Sequence, residues 1–152
     1  MSVSPTGGCQ CGAVRYRIAG EVAAGYACHC TECQRQSASA FGISVPVWLN
    51  KLHVTGELAG WTRSTDSGST TECFFCPTCG VRVYHAGSSR PGMATIKGGT
   101  LDDARYIPLI AHIWVASKQD WLKLPDDVPS WATQPGDMAG WATLLKGPAH
   151  ND

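Results

Sequence analysis

The chain has 152 residues and a formal net charge of +0, because 12 Lys and Arg balance 12 Asp and Glu. This length fits a single domain, and the balanced charge argues against a protein that binds nucleic acid or a membrane surface through bulk positive charge. A hydrophobic content of 43% with 16% charged residues excludes a disordered chain. The longest apolar stretch, residues 106–116, is too short to span a bilayer. The first residues lack a secretory signal pattern, so we expect a cytoplasmic protein without a membrane partner.

Short segments rich in β-branched and aromatic residues, separated by Gly, Pro, Ser and Asp, predict an all-β fold. One or two helical turns are predicted over residues 32–39, and the Pro-rich segment from residue 125 onward is expected to wrap the sheet without adding a strand. The predicted strands, in chain order, are residues 13–19, 41–46, 52–56, 72–75, 82–85, 93–97 and 110–115.

Eight cysteines fall into three tight clusters with the spacings C-x-C, C-x-C-x-x-C and C-x-x-C-x-x-C. A disulfide framework usually spreads its cysteines to join distant loops, and cytosolic thiols are kept reduced. Bunched thiolates instead favour a metal, whose sulfur ligands must converge at about 2.3 Å. Zinc is the expected ion, because it prefers tetrahedral thiolates and the spacings do not follow ferredoxin patterns. The clusters are Cys9 and Cys11; Cys28, Cys30 and Cys33; and Cys73, Cys76 and Cys79.

The first and last clusters together can supply four ligands to one ion. In an extended strand Cys9 and Cys11 would point to the same face, so we expect them to offer two thiolates in one direction. Cys76 and Cys79 belong to a C-P-T-C-G zinc knuckle, in which Gly80 allows a tight turn after the second ligand. We therefore predict a closed structural zinc site on Cys9, Cys11, Cys76 and Cys79. Structural zinc can contribute on the order of 10 kcal/mol to folding.

The middle cluster offers three thiolates, from Cys28, Cys30 and Cys33, to a second ion. Three protein ligands with a fourth position open to a substrate are typical of catalytic zinc. Cys73 is the eighth cysteine and can equally complete a second Cys₄ site, which would make both ions structural. His29 is a poor fourth ligand, because its place between two ligands should turn it to the opposite face. The spacing alone does not decide between a second site with an open fourth position and one closed by Cys73.

Other polar residues have ordinary structural interpretations beside functional ones. His112 lies in an apolar run and is expected to be a satisfied, half-buried histidine. Residues 97–103 are expected to form a turn, and their Gly-Gly pair has no phosphate-loop context. Arg35, two residues after Cys33, can sit beside the second metal or be simply solvated. A nucleic-acid-binding zinc domain is disfavoured, because the sequence has no Lys/Arg-rich run.

The chain resembles the glutathione-dependent formaldehyde-activating family, which includes centromere protein V-like domains, from Gly7 to about Leu124. The three-part cysteine pattern is highly specific, and the later stretches reinforce it in order. The resemblance implies a single zinc-binding domain over residues 1–152, with a recognisable core at 7–124 and a zinc-bearing all-β fold of the Mss4-like (β-tent) type with short helical turns. The stretches that carry it are GGCQCGAVRY, CHCTECQRQSASAFG, FFCPTCG, IKGGTLDD and HIWVASKQDWLKL.

The resemblance also implies two zinc ions per chain, one structural and one held by Cys28, Cys30 and Cys33 with a fourth position that accepts a substrate thiol. The expected activity is that of a carbon–sulfur lyase, similar to an S-(hydroxymethyl)glutathione synthase. Its expected partners are a small thiol such as glutathione and an aldehyde such as formaldehyde. Arg35, Arg63 or Lys97 could meet the glutathione carboxylates.

Two positions depart from the family pattern. Cys73 stands where many members carry a basic or polar residue, and Ala38 replaces a glycine, a minor change. The alternative function is a non-catalytic double-zinc module that binds a protein partner, with Cys73 closing the second site.

Overall fold

The computed structural model describes residues 4–146, which are mostly β-strand with two short helices. No helix among these residues is both long enough and apolar enough to cross a bilayer. The strands are β1 (Thr6–Gly8), β2 (Arg15–Ile18), β3 (Gly25–Cys28), β4 (Gly42–Trp48), β5 (Leu52–Thr55), β6 (Ala59–Ser64), β7 (Thr70–Phe75), β8 (Arg82–Gly87), β9 (Met93–Lys97) and β10 (Leu109–Ile113). The helices are α1 (Thr31–Ser37) and α2 (Met138–Leu145), and four single 3₁₀ turns lie at Leu49–Lys51, Gly98–Thr100, Ala104–Tyr106 and Val115–Ser117.

The described chain divides into two compact units, the first formed by residues 4–22 and 45–106. In this unit β1, β2 and β5 form an antiparallel sheet, and β9, β8, β7 and β6 are hydrogen-bonded in that order. Strand β2 alternates strictly: Tyr16 and Ile18 are buried, whereas Arg15 and Arg17 are exposed. This period of two gives the sheet one apolar and one polar face.

The second unit comprises residues 23–44 and 107–146. Here β3 lies between β10, which is parallel to it, and the first residues of β4, which are antiparallel. All four residues of β3 are buried, as expected for a strand with neighbours on both edges. Trp141 of α2 packs edge-on against Tyr26 of β3, with ring centroids 5.0 Å apart, and extends the apolar core of this unit.

The predicted all-β class is confirmed, and each of the seven predicted strands overlaps an observed one. Helix α1 also lies where helical turns were predicted. The sequence did not predict β1, β3, β6 or α2. Strand β3 is a continuous apolar run without alternation, which periodicity cannot distinguish from a buried helical segment. The prediction that the last residues wrap the sheet can be assessed only to Lys146, and in this part Trp141 covers β3 as expected.

Candidate metal centres

The first unit brings the four cysteines of the predicted structural site together. The Sγ atoms of Cys9, Cys11, Cys76 and Cys79 all lie within 4.8 Å of one another. The Cys9–Cys11 and Cys11–Cys76 sulfur pairs are 3.6 and 3.7 Å apart. A zinc–sulfur bond of about 2.3 Å in a tetrahedron places its sulfurs about 3.8 Å apart, so this donor set fits zinc.

Two tight turns, rather than a strand and a turn, present these thiols. The expectation that Cys9 and Cys11 lie in an extended strand is wrong: the Gly12 amide bonds the Cys9 carbonyl at 3.2 Å and closes a turn before β2 begins. The Gly80 amide likewise bonds the Cys76 carbonyl at 2.8 Å. Gly12 and Gly80 both have positive φ, 82° and 77°, a conformation that glycine adopts without strain. A glycine directly after the second cysteine therefore shapes both halves of the site.

Ionisation within this group is unequal, as expected when four thiols crowd together. Burial opposes ionisation of Cys9, but the Val14 amide, which donates to its Sγ at 3.2 Å, and the neighbouring thiols lower its pKa to about 6. For Cys11 the Ala13 amide favours the thiolate, yet the neighbouring thiols and burial raise its pKa to about 11. A divalent cation would relieve this repulsion by favouring all four thiolates at once.

The second unit assembles Cys28, Cys30 and Cys33, whose Sγ atoms also lie within 4.8 Å of one another. Cys28 ends β3, Cys30 is the N-cap of α1, and Cys33 lies in the first turn of that helix. The Cys30 Sγ accepts the Cys33 amide at 3.3 Å, as a capping side chain does. A strand end followed at once by a helix start thus turns three closely spaced side chains toward one point.

The position of Cys30 as the N-cap of α1 also affects the charge of the three-cysteine group. Hydrogen bonds from the Cys28 and Cys33 thiols, reinforced by backbone amides, lower the pKa of Cys30 to about 2. The neighbouring side chains, Cys30 first and then Cys33, together with burial, raise the pKa of Cys28 far above its ordinary value. The donor set therefore holds negative charge at neutral pH and suits a thiophilic cation such as zinc.

The backbone of the second group is held by side chains that the sequence did not single out. The His29 carbonyl, between the first two cysteines, accepts Gln34 Nε2 and Ser117 Oγ, each at 2.8 Å. Gln34 Nε2 also donates to the Ser117 carbonyl at 2.9 Å, and the His29 amide bonds the Ile113 carbonyl. Gln34 lies in the stretch CHCTECQRQSASAFG, which carries the family resemblance, but no role was predicted for it. A side-chain hydrogen bond to a main-chain atom leaves no pattern in residue spacing.

His29 turns away from the cysteines, as expected, and meets His112 instead. Their Nε2 and Nδ1 atoms are 3.0 Å apart, and both rings are buried. The expectation for His112 is wrong: the ring is fully buried, not half-buried, and its Nε2 has no partner among the described residues. Burial, then His112 and Lys118, lower the pKa of His29 to about 4, and burial lowers that of His112. The pair is therefore neutral at pH 7, with one ring donating to the other.

Cys73 and Arg35 are the two site candidates left outside these groups. Among the described residues, Cys73 belongs to neither metal group; it is 2% exposed, and its thiol faces the Thr71 carbonyl at 3.9 Å. Arg35, on α1, has a side chain that is 81% exposed and pairs with Glu32 at 3.8 Å. Arg35 is therefore a solvent-exposed cation, paired on its own helix and close in sequence to the second group.

Two comparisons with known proteins bear on the fold and the family of this chain. A solved structure similar to this chain is the crystal structure of a Rhodobacter sphaeroides protein, a structural genomics target. The match has a TM-score of 0.52 and 22% sequence identity, and it covers 83% of this chain and 99% of that chain. The likeness shows the fold, which is consistent with the Mss4-like β fold implied by the resemblance. A family model described as glutathione-dependent formaldehyde-activating enzyme matches residues 4–117, both cysteine groups included. The chain belongs to this family.

Proposed function

We propose that the protein is a zinc-dependent carbon–sulfur lyase that joins a small thiol, with glutathione as the leading candidate, to formaldehyde or a related aldehyde. The observation that carries this proposal is the convergence of three thiols, from Cys28, Cys30 and Cys33, with no fourth ligand in that group among residues 4–146. A three-thiolate set leaves one position of a tetrahedral ion to a ligand from outside the chain. Family membership supports glutathione and formaldehyde as the two partners.

The proposed reaction forms one carbon–sulfur bond and is reversible. The thiol sulfur donates an electron pair to the aldehyde carbon, the carbon–oxygen π bond becomes a lone pair on oxygen, and the thiol proton ends on that oxygen. The product of glutathione and formaldehyde is S-(hydroxymethyl)glutathione, and the reverse reaction releases both. Zinc held by the three cysteines would lower the pKa of the incoming thiol and keep it as the nucleophilic thiolate.

The residues of this chain have distinct proposed roles. Cys28, Cys30 and Cys33 hold the second ion, while Gln34 and Ser117 fix the backbone that presents two of these thiols. Arg35 remains our proposal for a cationic partner of a glutathione carboxylate, because its side chain is exposed and carries a charge that can bind a carboxylate.

We further propose that the closed Cys₄ group holds a structural zinc ion, which gives two ions per chain in one zinc-binding domain. We also propose a reducing compartment such as the cytoplasm, because cysteines grouped as metal ligands must stay reduced.

A cobalt-substituted protein titrated with glutathione tests the proposal directly. Binding of the thiol to the second ion should intensify the sulfur-to-cobalt charge-transfer bands, and S-methylglutathione, which has no thiol, should leave them unchanged. Cys30→Ser should abolish the glutathione response. An unchanged wild-type spectrum at saturating glutathione would argue for a closed or purely structural second site.

Turnover is measured by magnetisation-exchange NMR between formaldehyde hydrate and S-(hydroxymethyl)glutathione, with the zinc protein. We expect the wild type to speed the exchange above the uncatalysed background and Cys30→Ser to return it to that background. Equal rates for the two proteins would refute the lyase assignment while leaving the metal site in place.

A further inference from the structure

The second unit contains a cavity of about 380 Å³ beside helix α2. This volume lies within the roughly 300–1,000 Å³ of small-molecule sites, which are concave, mostly apolar and carry few polar groups. Among the described residues that line the cavity, Asp137 is the only charged one. The apolar walls are two tryptophans, two prolines and a leucine, namely Pro129, Trp131, Pro135, Trp141 and Leu144. The cavity therefore has the composition of a site for an apolar group.

The cavity adjoins the sheet face from which Cys28 projects. Tyr26 and Cys28 are two residues apart on β3, so their side chains share a face and their Cα atoms are roughly 6.6 Å apart. Trp141 packs edge-on against Tyr26 and belongs, together with Cys28, to one buried cluster. The half-buried residues packed against this cluster include two further thiols and two cavity walls: Cys30, Cys33, Trp131 and Leu144. The three-thiol group and the cavity thus border the same apolar core.

The cavity lies outside the part of the chain that the family model matches. That model ends at residue 117, whereas the cavity walls come from residues 129–144. Both cysteine groups lie within the matched part. The features common to the family therefore do not include the cavity, and formaldehyde, which has a single carbon atom, has no substituent to place in it. A cavity added beside the reacting groups is a place for selectivity toward a larger substrate.

The walls favour a flat, uncharged ring. Trp131 and Trp141 lie edge to face, with ring centroids 5.7 Å apart and planes at 82°. Trp131 is half-buried, so a further aromatic ring can pack on it from the cavity. Asp137 is the N-cap of α2, and its side chain accepts the Gly140 amide at 2.9 Å, which holds the carboxylate in place. This negative charge disfavours a carboxylate or phosphate group on the ligand.

We propose that the cavity binds the aromatic ring of an uncharged aldehyde, in which a short alkyl spacer joins the ring to the carbonyl group. This inference rests on the lyase function proposed above and specifies its carbonyl substrate. The thiol sulfur bonds the carbonyl carbon, the carbon–oxygen π pair moves to oxygen, and the thiol proton ends on that oxygen. The spacer suits the separation of two strand residues between Cys28 and Tyr26, which contacts the cavity wall at Trp141.

Binding is measured without reaction by saturation-transfer NMR of the full-length, zinc-loaded protein with 2-(4-methylphenyl)ethanol, in which an alcohol replaces the carbonyl group. We expect saturable binding to the wild type. Leu144→Phe fills the cavity from a half-buried position on α2 and should weaken binding about tenfold, because the ring buries less apolar surface. Trp121→Ala removes a 68% exposed tryptophan of the same unit, outside the cavity walls, and should bind as the wild type does.

The charge of Asp137 provides a second test, which holds even if Leu144→Phe fails to fold. The anion 4-(2-hydroxyethyl)benzoate should bind the wild type more weakly than the methyl analogue. Asp137→Asn keeps an N-cap side chain but removes the charge, so it should narrow this difference by about threefold. The cavity assignment is overturned if the methyl analogue does not bind the wild type. It is equally overturned if neither Leu144→Phe nor Asp137→Asn changes binding relative to Trp121→Ala.

Turnover is compared by exchange NMR with glutathione and either phenylacetaldehyde or acetaldehyde, each relative to its uncatalysed rate. We expect the zinc protein to accelerate phenylacetaldehyde about tenfold more than acetaldehyde, because the buried ring contributes binding energy at the reacting group. Leu144→Phe should remove this preference, and Trp121→Ala should retain it. Acceleration of formaldehyde and acetaldehyde without a preference for phenylacetaldehyde overturns this inference alone. Acceleration of none of the three aldehydes overturns the lyase function, and the aldehyde assigned here with it.

Discussion

The Sγ atoms of Cys11 and Cys76 lie 3.7 Å apart although the two residues are 65 positions apart in sequence. A shared ion at this point would close a long loop of the chain, and the unfolded chain would lose the corresponding conformational freedom. The three thiols of the second group, by contrast, lie within six residues and close no such loop. The two groups therefore differ in what they contribute to folding.

Cys76→Ser should accordingly cost far more stability than Cys30→Ser. We expect Cys76→Ser to lose one zinc ion and to melt at a much lower temperature or remain unfolded, because structural zinc contributes on the order of 10 kcal/mol. Cys30→Ser should also lose one ion but stay folded. Zinc counting by atomic emission together with thermal melts checks both. Loss of both ions and of the fold in Cys30→Ser would show that the sites are not separable.

Cys73→Ser distinguishes the open second site from the closed one. Because Cys73 belongs to neither metal group, we expect two zinc ions per chain and an undiminished glutathione response in the cobalt protein. The buried hydroxyl should cost about 1–2 kcal/mol of stability. Cys79→Ser is the matched comparison and should lose one ion. If Cys73→Ser instead lost an ion, the residue would be a ligand and the scaffold function would be favoured.

Gln34→Ala should loosen the second metal site without removing a ligand. The substitution deletes the donor to the His29 and Ser117 carbonyls, which should cost about 1–3 kcal/mol of stability. Outer residues that orient ligands typically contribute 10- to 100-fold in metal affinity, so we expect about a tenfold loss at this site. Competition with a chromophoric chelator measures it. Gln36→Ala, on the same helix but not bonded to those carbonyls, should bind zinc as the wild type does.

The structure brings together the cysteines that were grouped from the sequence, although the spacings alone left open whether Cys73 joins the second group. They did not predict the local backbone. The turn at Cys9–Gly12 replaces the expected strand, since a positive-φ glycine directly after Cys11 reverses the chain. A C-x-C-G pattern parallel to C-P-T-C-G was the available signal for that turn.

The long-range polar contacts were not predicted from the sequence, for a different reason. Ser117 reaches the His29 carbonyl across 88 residues, and Lys97 reaches His85 from the neighbouring strand. Neither contact produces a periodicity. The predicted strand 93–97 is confirmed and ends at Lys97, with a 3₁₀ turn from Gly98, but no pattern in the sequence indicated His85 as the partner of Lys97. The register between adjacent strands determines which of their residues are neighbours, and the sequence alone did not give this register.

His85 should make the stability of the protein depend on pH in a defined window. Its pKa is about 3 in the folded protein, whereas the unfolded value is the ordinary 6.5. Between these values the unfolded chain binds a proton that the folded protein does not. The stabilisation is therefore complete above pH 6.5 and is lost as the pH falls, by at most about 1.4 kcal/mol per pH unit.

His85→Gln isolates this contribution, because glutamine can still accept the Lys97 hydrogen bond but does not titrate. Urea unfolding of zinc-loaded protein from pH 7 to pH 5 should show a steeper loss of the free energy of unfolding for the wild type than for the variant. His29, His112 and the metal thiolates also favour unfolding in acid, but both proteins share them. Parallel curves would mean that the pKa of His85 is not lowered in the folded protein, contrary to the effect of its burial and of the nearby cations.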